Sequence, residues 1–414
     1  MTAVLAFIAA VLAWVLFSRR LEAWSVTAPI VLTVAGFATS RLLHDVGSIQ
    51  TEGIRQLIEI TLAVVLFVDA SSIAVRWFLT AWQYPARLLG IGLPLTIVAG
   101  TIVAAVLFPG RDIWLLAVIG AALAPTDAAL GVSIIENERI PLGLRRVINV
   151  ESGLNDGLAT PVVLFCIAIA ASTVDRVADR PFASAVGEIL LGTVLGFAIG
   201  AVTGRALMTA RVRGWAVPML VPVAPVVVAV GTYLLVVQLG GNGFVAAFVC
   251  GVGFGSAMRR MGAGAAATAQ PQQADDLLEF THRTAQLLGF AVWFVFGESV
   301  LGSLGTENLA MAVLYGVLSL SVLRMVPVAI SALGLHAAVD TVLLVGWLGP
   351  RGLASIIFGI LAADTIGGSD GAFVLTVVAA TVAMSVFAHG LSAGPLARWY
   401  AQRHPVDADA VPAP

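Results

Sequence analysis

The heptapeptide Glu151-Ser152-Gly153-Leu154-Asn155-Asp156-Gly157 leads into a long apolar run, LNDGLATPVVLFCIAIAA, over 154–171. A carboxylate inside a bilayer costs about 3 kcal/mol or more, and such residues usually mark ion or proton pathways. On a helix Glu151 and Asn155 are i,i+4 neighbours, and Ser152 and Asp156 are i,i+4 neighbours on the adjacent face. The first face suits a structural hydrogen-bonded pair. The second sets a hydroxyl beside a carboxylate, and oxygen donors of that kind suit a hard cation such as sodium. A second acid, Asp127, lies in another apolar run beside a helix breaker, Pro125-Thr126-Asp127. Backbone carbonyls freed at the Thr126 break can complete such a site. Two carboxylates in apolar runs, one of them at a broken helix, indicate a cation transporter.

The remaining charges in apolar runs sort around these. Arg324, in LYGVLSLSVLRMVPVAI, is a buried charge of opposite sign. Buried charges pair or neutralise, so its expected partner is Glu151, with Asn155 bridging the two. Glu151 follows Arg145 and Arg146 closely and reads alternatively as a solvated helix end. For Asp156 the alternative is a satisfied structural acid. Arg351, in Gly349-Pro350-Arg351-Gly352, can offset helix ends at a second break. Asp69, in VVLFVDASSI, is either a further acid of the site or an acid at the membrane surface. Glu298 is compatible with the outer interface, and His389 with a hydrogen-bonded core or interface histidine. Cys166 and Cys250 are isolated in apolar segments and fit no metal or redox spacing.

The elements that must hold these residues are membrane helices. The chain has 414 residues, 59% hydrophobic and 11% charged, against about 25% charged in a soluble domain. All 22 basic residues are arginine, which excludes any mechanism needing a titrating membrane lysine. Spans of about 20 apolar residues fall at roughly 2–17, 26–43, 55–73, 86–108, 112–134, 147–172, 182–208, 214–237, 241–258, 281–304, 307–333, 338–363 and 370–397. The first apolar run has no basic residue before it and Arg19 and Arg20 after it, the reverse of a cleavable signal peptide. Arginines also follow segments three (Arg76, Arg87) and five (Arg139, Arg145, Arg146). Others lie at the seven–eight junction (Arg205, Arg211, Arg213), around the nine–ten loop (Arg259, Arg260, Arg283) and after segment thirteen (Arg398, Arg403). The positive-inside rule then puts the N-terminus outside and the C-terminus in the cytoplasm, as an odd number of spans requires. The alternate loop Asp175-Arg176…Asp179-Arg180 balances its charges. Residues 261–279 read as a cytoplasmic connector and 401–414 as a short cytoplasmic tail.

The breaks in segments five and twelve are seven segments apart, at corresponding positions of two halves in opposite orientation. Paired broken helices in inverted repeats point to a midplane transport site. The repeats span approximately 1–172 and 214–397, linked by helix 182–208. That linker carries Gly192, Gly196, Gly200 and Gly204 in one stripe, which allows close helix approach. The partner helix can belong to the same subunit or to another.

Pro125-Thr126-Asp127, Glu151-Ser152-Gly153-Leu154-Asn155-Asp156-Gly157 and Gly349-Pro350-Arg351-Gly352 together resemble the signatures of the monovalent cation:proton antiporters, in their electroneutral sodium/proton exchanger branch. Val68-Asp69-Ala70-Ser71 is similar to a fourth family segment, with serine where glycine is usual. The resemblance covers the whole membrane domain. It implies an all-α polytopic fold of about 13 transmembrane helices, with a dimerisation domain, hence a homodimer, and a moving six-helix core. It implies Asp156 as the ion- and proton-binding carboxylate, Ser152 and Thr126 as oxygen ligands, and Asp69 as an auxiliary ligand. Glu151, Asn155 and Arg324 would form a stabilising polar cluster, and Asp127 would balance dipoles where the broken helices cross. The electrogenic branch carries an Asp–Asp pair and a membrane lysine. Here the pair is Asn155-Asp156.

The expected activity is exchange of sodium or lithium for protons across the plasma membrane, with no cofactor, no enzymatic chemistry and no nucleic-acid partner. Sodium would sit at Asp156, Ser152 and Thr126. Potassium/proton antiport is the alternative, because oxygen ligands alone do not set cavity size. A channel would show a repeated filter loop, and a membrane enzyme a nucleophile–base or metal set facing a cavity; the metal-binding pattern HExxH does not occur.

Overall fold

The computed structural model describes residues 2–43, 52–72, 83–127, 140–175, 181–265, 272–305, 308–335 and 337–404, and every regular element among them is helical. Arg76, Arg139, Arg176, Asp179, Arg180, residues 266–271 of the connector and residues 405–414 of the tail lie outside the described residues. Among the described residues, eight helices are long and apolar enough to span a bilayer, and four more apolar helices are shorter. The chain is a multi-span membrane protein.

The helices, in order, are α1 (Thr2–Ala23), α2 (Ala28–Leu43), α3 (Glu52–Ser72), α4 (Gln83–Leu107), α5 (Ile113–Ala122), α6 (Leu142–Asp175), α7 (Pro181–Val212) and α8 (Ala224–Gln238). Then follow α9 (Gly243–Ala265), α10 (Gln272–Val295), α11 (Leu309–Leu320), α12 (Val322–Ala332), α13 (Val339–Trp347), α14 (Leu353–Ile366) and α15 (Gly368–Arg403). Each of the thirteen apolar segments corresponds to one helix or to a broken pair. Local chemistry explains several boundaries. Asp112 caps α5, its carboxylate accepting from the Trp114 and Leu115 amides at 2.8 and 3.4 Å. In α4 a π turn at Leu88–Gly92 precedes Pro94, whose missing N–H cannot continue the regular ladder.

One expected continuous span is not continuous. Segment eleven divides into α11 and α12 at Ser321, where the backbone adopts φ −112° and ψ −93°. The Ser319 carbonyl next to this break accepts instead from the Arg351 guanidinium, at 3.3 Å.

By packing, the chain divides into two compact units. The first comprises Met1–Ser48, Trp82–Asn155 and Trp293–Pro414, and contains both breaks. Within it α2 lies against the continuation of α10, where a π turn at Phe296–Val300 presents Gly297 to the Thr33 carbonyl. The second comprises Ile49–Ala81 and Asp156–Val292, and its helices meet through glycine. Gly192, Gly196 and Gly200 of α7 press on the carbonyls of Asn242, Ala246 and Cys250, and Gly204 lies against Phe254. On α9, Gly251 and Gly255 press on the Phe67 and Ser71 carbonyls of α3. The glycine stripe is therefore used inside the chain, in the approach of α7 to α9.

A Cβ at Gly200 would overlap the Cys250 carbonyl, whereas one at Gly187 of the same helix meets open space. Gly200→Val should destabilise the protein by about 1–3 kcal/mol or more, read as a lower melting temperature in detergent. Gly187→Ala should leave that temperature unchanged or slightly higher, since alanine favours helix over glycine.

Candidate functional site

The two breaks meet inside the first unit. Past Ala122 the chain leaves α5 and runs through Leu123–Asp127; past Trp347 it leaves α13 and runs through Leu348–Gly352 before α14 begins. The extended pieces join where the Asp127 amide donates to the Pro350 carbonyl at 2.8 Å. Such a junction leaves helix-terminal carbonyls and amides without helical partners, each costly to bury unpaired. Two charges satisfy them. The Arg351 guanidinium, 0% exposed, donates to the Ala124 and Pro125 carbonyls at 2.8 and 3.2 Å. The Asp127 carboxylate accepts from the Leu353 amide at the start of α14, at 2.9 Å. A cation at a helix C-terminal end and an anion at an N-terminal end are both favoured by the helix dipole. Ser355 adds a hydroxyl, donating to the Ala122 carbonyl at 2.7 Å. The crossing needs Gly352 because any Cβ there would collide with the Asp127 carboxylate.

Helix α6 brings the heptapeptide to this crossing. The Ser152 hydroxyl donates to the Thr126 carbonyl at 2.7 Å, and the Asn155 amide donates to the Thr126 hydroxyl at 2.6 Å. Thr126 is thus gripped at both its backbone and its side chain, and both oxygens are buried with Ser152. Glu151, one turn before Asn155, forms a bidentate pair with Arg324 of α12, at 2.9 and 3.0 Å. The pair is buried, with Glu151 3% and Arg324 2% exposed, so Glu151 is not a solvated helix end. Asn155 does not bridge this pair as its spacing suggested. The carboxylate and guanidinium engage each other fork to fork, and Asn155 is turned to Thr126 instead. Gly349 passes directly over the Arg324 side chain, where a Cβ would meet Nε.

Asp156 is the next residue of α6 and is 8% exposed. It lies in the second unit, where the Thr160 hydroxyl donates to its backbone carbonyl at 2.6 Å. The Phe248 ring of α9 fills the space where Gly157 lacks a side chain, which accounts for the glycine after Asp156. Asp69, half-buried on α3, also belongs to the second unit. Its neighbour Ser71 donates to the Phe67 and Gly251 carbonyls at 2.7 and 3.2 Å. Glu298 is buried within the π turn after α10 and accepts from the Ser299 hydroxyl at 2.5 Å. It is not at the protein surface.

Several participants had no signal above their surroundings. Ser319 and Ser355 serve the crossing as an acceptor and a donor, and serine in an apolar helix is common. Tyr84, near the start of α4, has a buried hydroxyl without a hydrogen-bond partner among the described residues, close to Arg324 and Glu151. No spacing in the chain links position 84 to either.

Removing one partner of a buried ion pair typically costs about 3–5 kcal/mol. Arg324→Ala should therefore lower the melting temperature in detergent markedly, and Glu151→Ala should do the same. The double variant should lose less than the sum of the two, since neither charge is left alone. Unaltered stability in Arg324→Ala, with only the apparent cation affinity changed, would assign Arg324 to ion binding instead.

Known proteins are similar to this chain in sequence and in fold. The model of the transmembrane sodium/hydrogen exchanger family matches residues 5–399. The K(+)/H(+) antiporter NhaP of Alkalimonas amylolytica is 24% identical over 285 residues, covering 68% of this chain and 46% of that protein, so the match spans about half of the relative's length. The structure of the sodium proton antiporter MjNhaP1 from Methanocaldococcus jannaschii at pH 8 superposes with a TM-score of 0.76 at 16% identity, covering 94% of this chain and 99% of that one. An electron-microscopy structure of the same antiporter gives 0.74 at 17% identity, covering 96% and 97%. The fold is the antiporter fold, and the chain belongs to the sodium/hydrogen exchanger family.

Proposed function

We propose that this protein exchanges sodium, or lithium, for protons across the plasma membrane, one for one, by alternating access at a single carboxylate, Asp156. The observation that carries the reading is the placement of Thr126. Its carbonyl, freed by the break after α5, lies against the Ser152 hydroxyl, and Ser152 is one helical turn before Asp156. A sodium ion bound by Asp156, Ser152 and the Thr126 carbonyl would replace the Ser152–Thr126 hydrogen bond with two oxygen contacts. Asp69 serves as an auxiliary ligand. Glu151, Asn155 and Arg324 hold the fold around the site, and Asp127 and Arg351 hold the crossing.

Coupling follows from charge. Protonated, or paired with a sodium ion, the Asp156 site is neutral; empty and ionised, it carries −1. A bare charge is expensive to move through a low-dielectric barrier, so the carrier changes sides only when loaded. One such charge moves one proton against one cation. Residue 155 is neutral and the chain has no lysine, so no second exchangeable proton is expected.

In the membrane the N-terminus is outside and the C-terminus cytoplasmic. The chain forms inverted repeats, approximately 1–172 and 214–397, and assembles as a homodimer. Potassium is the second reading, favoured by the name of the relative from Alkalimonas amylolytica.

Proton flux in liposomes on addition of sodium, lithium or potassium tests both readings. Asp156→Asn should abolish that flux while the protein still inserts and melts as wild type does; wild-type-like flux in this variant would sink the single-site mechanism.

Stoichiometry is tested separately with a voltage clamp of potassium and valinomycin. Each elementary charge moved across 100 mV is worth about 2.3 kcal/mol, so an electrogenic exchanger would shift its sodium/proton equilibrium visibly. The expected equilibrium is independent of voltage, and a shift would require a second titrating group.

A further inference from the structure

We infer that His389 is a positioning residue for the transport site, acting through Ser385 on the break between α13 and α14. The inference rests on the reading that the crossing at Thr126 builds that site. His389 is 1% exposed on α15 and lies far from Thr126 in sequence. Ser385, His389 and Ser392 form one stripe of α15, at i, i+4 and i+7. This stripe holds both ends of the break. Ser385 Oγ accepts from the Arg351 amide at 2.7 Å, within the break itself. The imidazole packs on Trp347, the last residue of α13, with ring centroids 5.1 Å apart. Trp347 Nε1 in turn donates to Ser392 Oγ at 2.9 Å.

The contacts of Nδ1 locate what His389 contributes. Ser385 Oγ accepts from the Arg351 amide, and its own hydrogen is left to donate elsewhere. The His389 Nδ1 atom lies 3.2 Å from that hydroxyl and 3.1 Å from the Ser385 carbonyl. Only a neutral ring with its hydrogen on Nε2 lets Nδ1 accept from the hydroxyl. Nε2 is buried without a hydrogen-bond partner among the described residues. In that tautomer Nδ1 fixes the direction of the Ser385 hydroxyl while the ring stays packed on Trp347.

The orientation is transmitted along the bonds of the crossing. With its amide fixed, Arg351 is directed onto the Ala124 and Pro125 carbonyls. The preceding residue, Pro350, accepts from the Asp127 amide. These contacts flank Thr126 on both sides, so they set the direction of the carbonyl that faces Ser152.

The experiment compares His389→Leu, His389→Asn and Ser385→Ala in the full chain, reconstituted in liposomes. The drive is whichever of sodium and potassium gives the larger proton flux with wild type. His389→Leu keeps the bulk and loses the acceptor, whereas an asparagine oxygen reproduces the position of Nδ1. His389→Leu should raise the half-saturating cation concentration about 2- to 30-fold, the range of couplings carried by residues that touch neither ligand. Ser385→Ala should raise it similarly, and the double variant no further. His389→Asn should restore most of the affinity. A purely structural role would lower the melting temperature and maximal rate, leave half-saturation alone and favour leucine over asparagine. That pattern overturns the inference, as does wild-type half-saturation in Ser385→Ala, which removes a single oxygen and remains measurable if His389→Leu fails to fold. Asp156→Asn in the same assay separates this inference from the site itself. Transport by that variant overturns both, while an inactive Asp156→Asn beside an unaltered His389→Leu overturns this inference alone.

Discussion

The organising constraint of this protein is that two helices end inside it, where water cannot take up their unpaired backbone groups. A break in a membrane helix is tolerated only where other protein groups satisfy the freed carbonyls and amides. Arg351 and Asp127 do this with one charge each. The arginine covers carbonyls that follow α5, and the aspartate covers the amide that opens α14. Their sequence neighbours follow from that arrangement. Gly352 must be bare for the aspartate to approach, Gly349 must be bare to pass Arg324, and Pro350 leaves its carbonyl to pair with Asp127.

Once the crossing is built, most of the buried charge around it is committed. Arg324 and Glu151 engage each other through two parallel hydrogen bonds, and Arg351 donates to three backbone carbonyls, those of Ala124, Pro125 and Ser319 beside the α11–α12 break. The Ala122 carbonyl, the third at that end, goes to Ser355. Asp127 accepts from the amide that opens α14. The ion-binding proposal falls on Asp156, one helical turn after Ser152 in the same heptapeptide. The heptapeptide supplies both kinds of residue from adjacent faces of one helix. Glu151 faces an arginine, Ser152 and Asn155 face Thr126, and Gly157 admits an aromatic ring.

Glycine plays two distinct parts. In the first unit it clears room for charged side chains at the breaks, besides letting α2 approach the continuation of α10. In the second it lets α7, α9 and α3 approach until glycine meets the carbonyls of the neighbouring helix. Apolar side chains give little drive for helix association in lipid, so close packing of small residues takes over. The same residue type thus supports chemistry in one place and cohesion in another.

What the chain determined by itself was whatever depends on runs and spacing. Span lengths, the scarcity of charge, the proline and glycine breaks, and the family of the motifs are all properties of short windows. So is the i,i+4 geometry that groups Ser152 with Asp156. What the tertiary structure decided was which groups meet. Asn155 and Thr126 are bonded across 29 residues, Arg324 and Glu151 across 173, and Ser355 and Ala122 across 233. Composition could suggest that Arg324 needs an acid, but not that Asn155 would turn to Thr126 and leave the ion pair to itself. The interruption at Ser321 had no sequence signal of its own because it lies beside a carbonyl that Arg351 takes from another segment. The glycine stripe of α7 likewise announced close packing without naming its partner. Spacing sets the face of a helix, and only packing sets what that face touches.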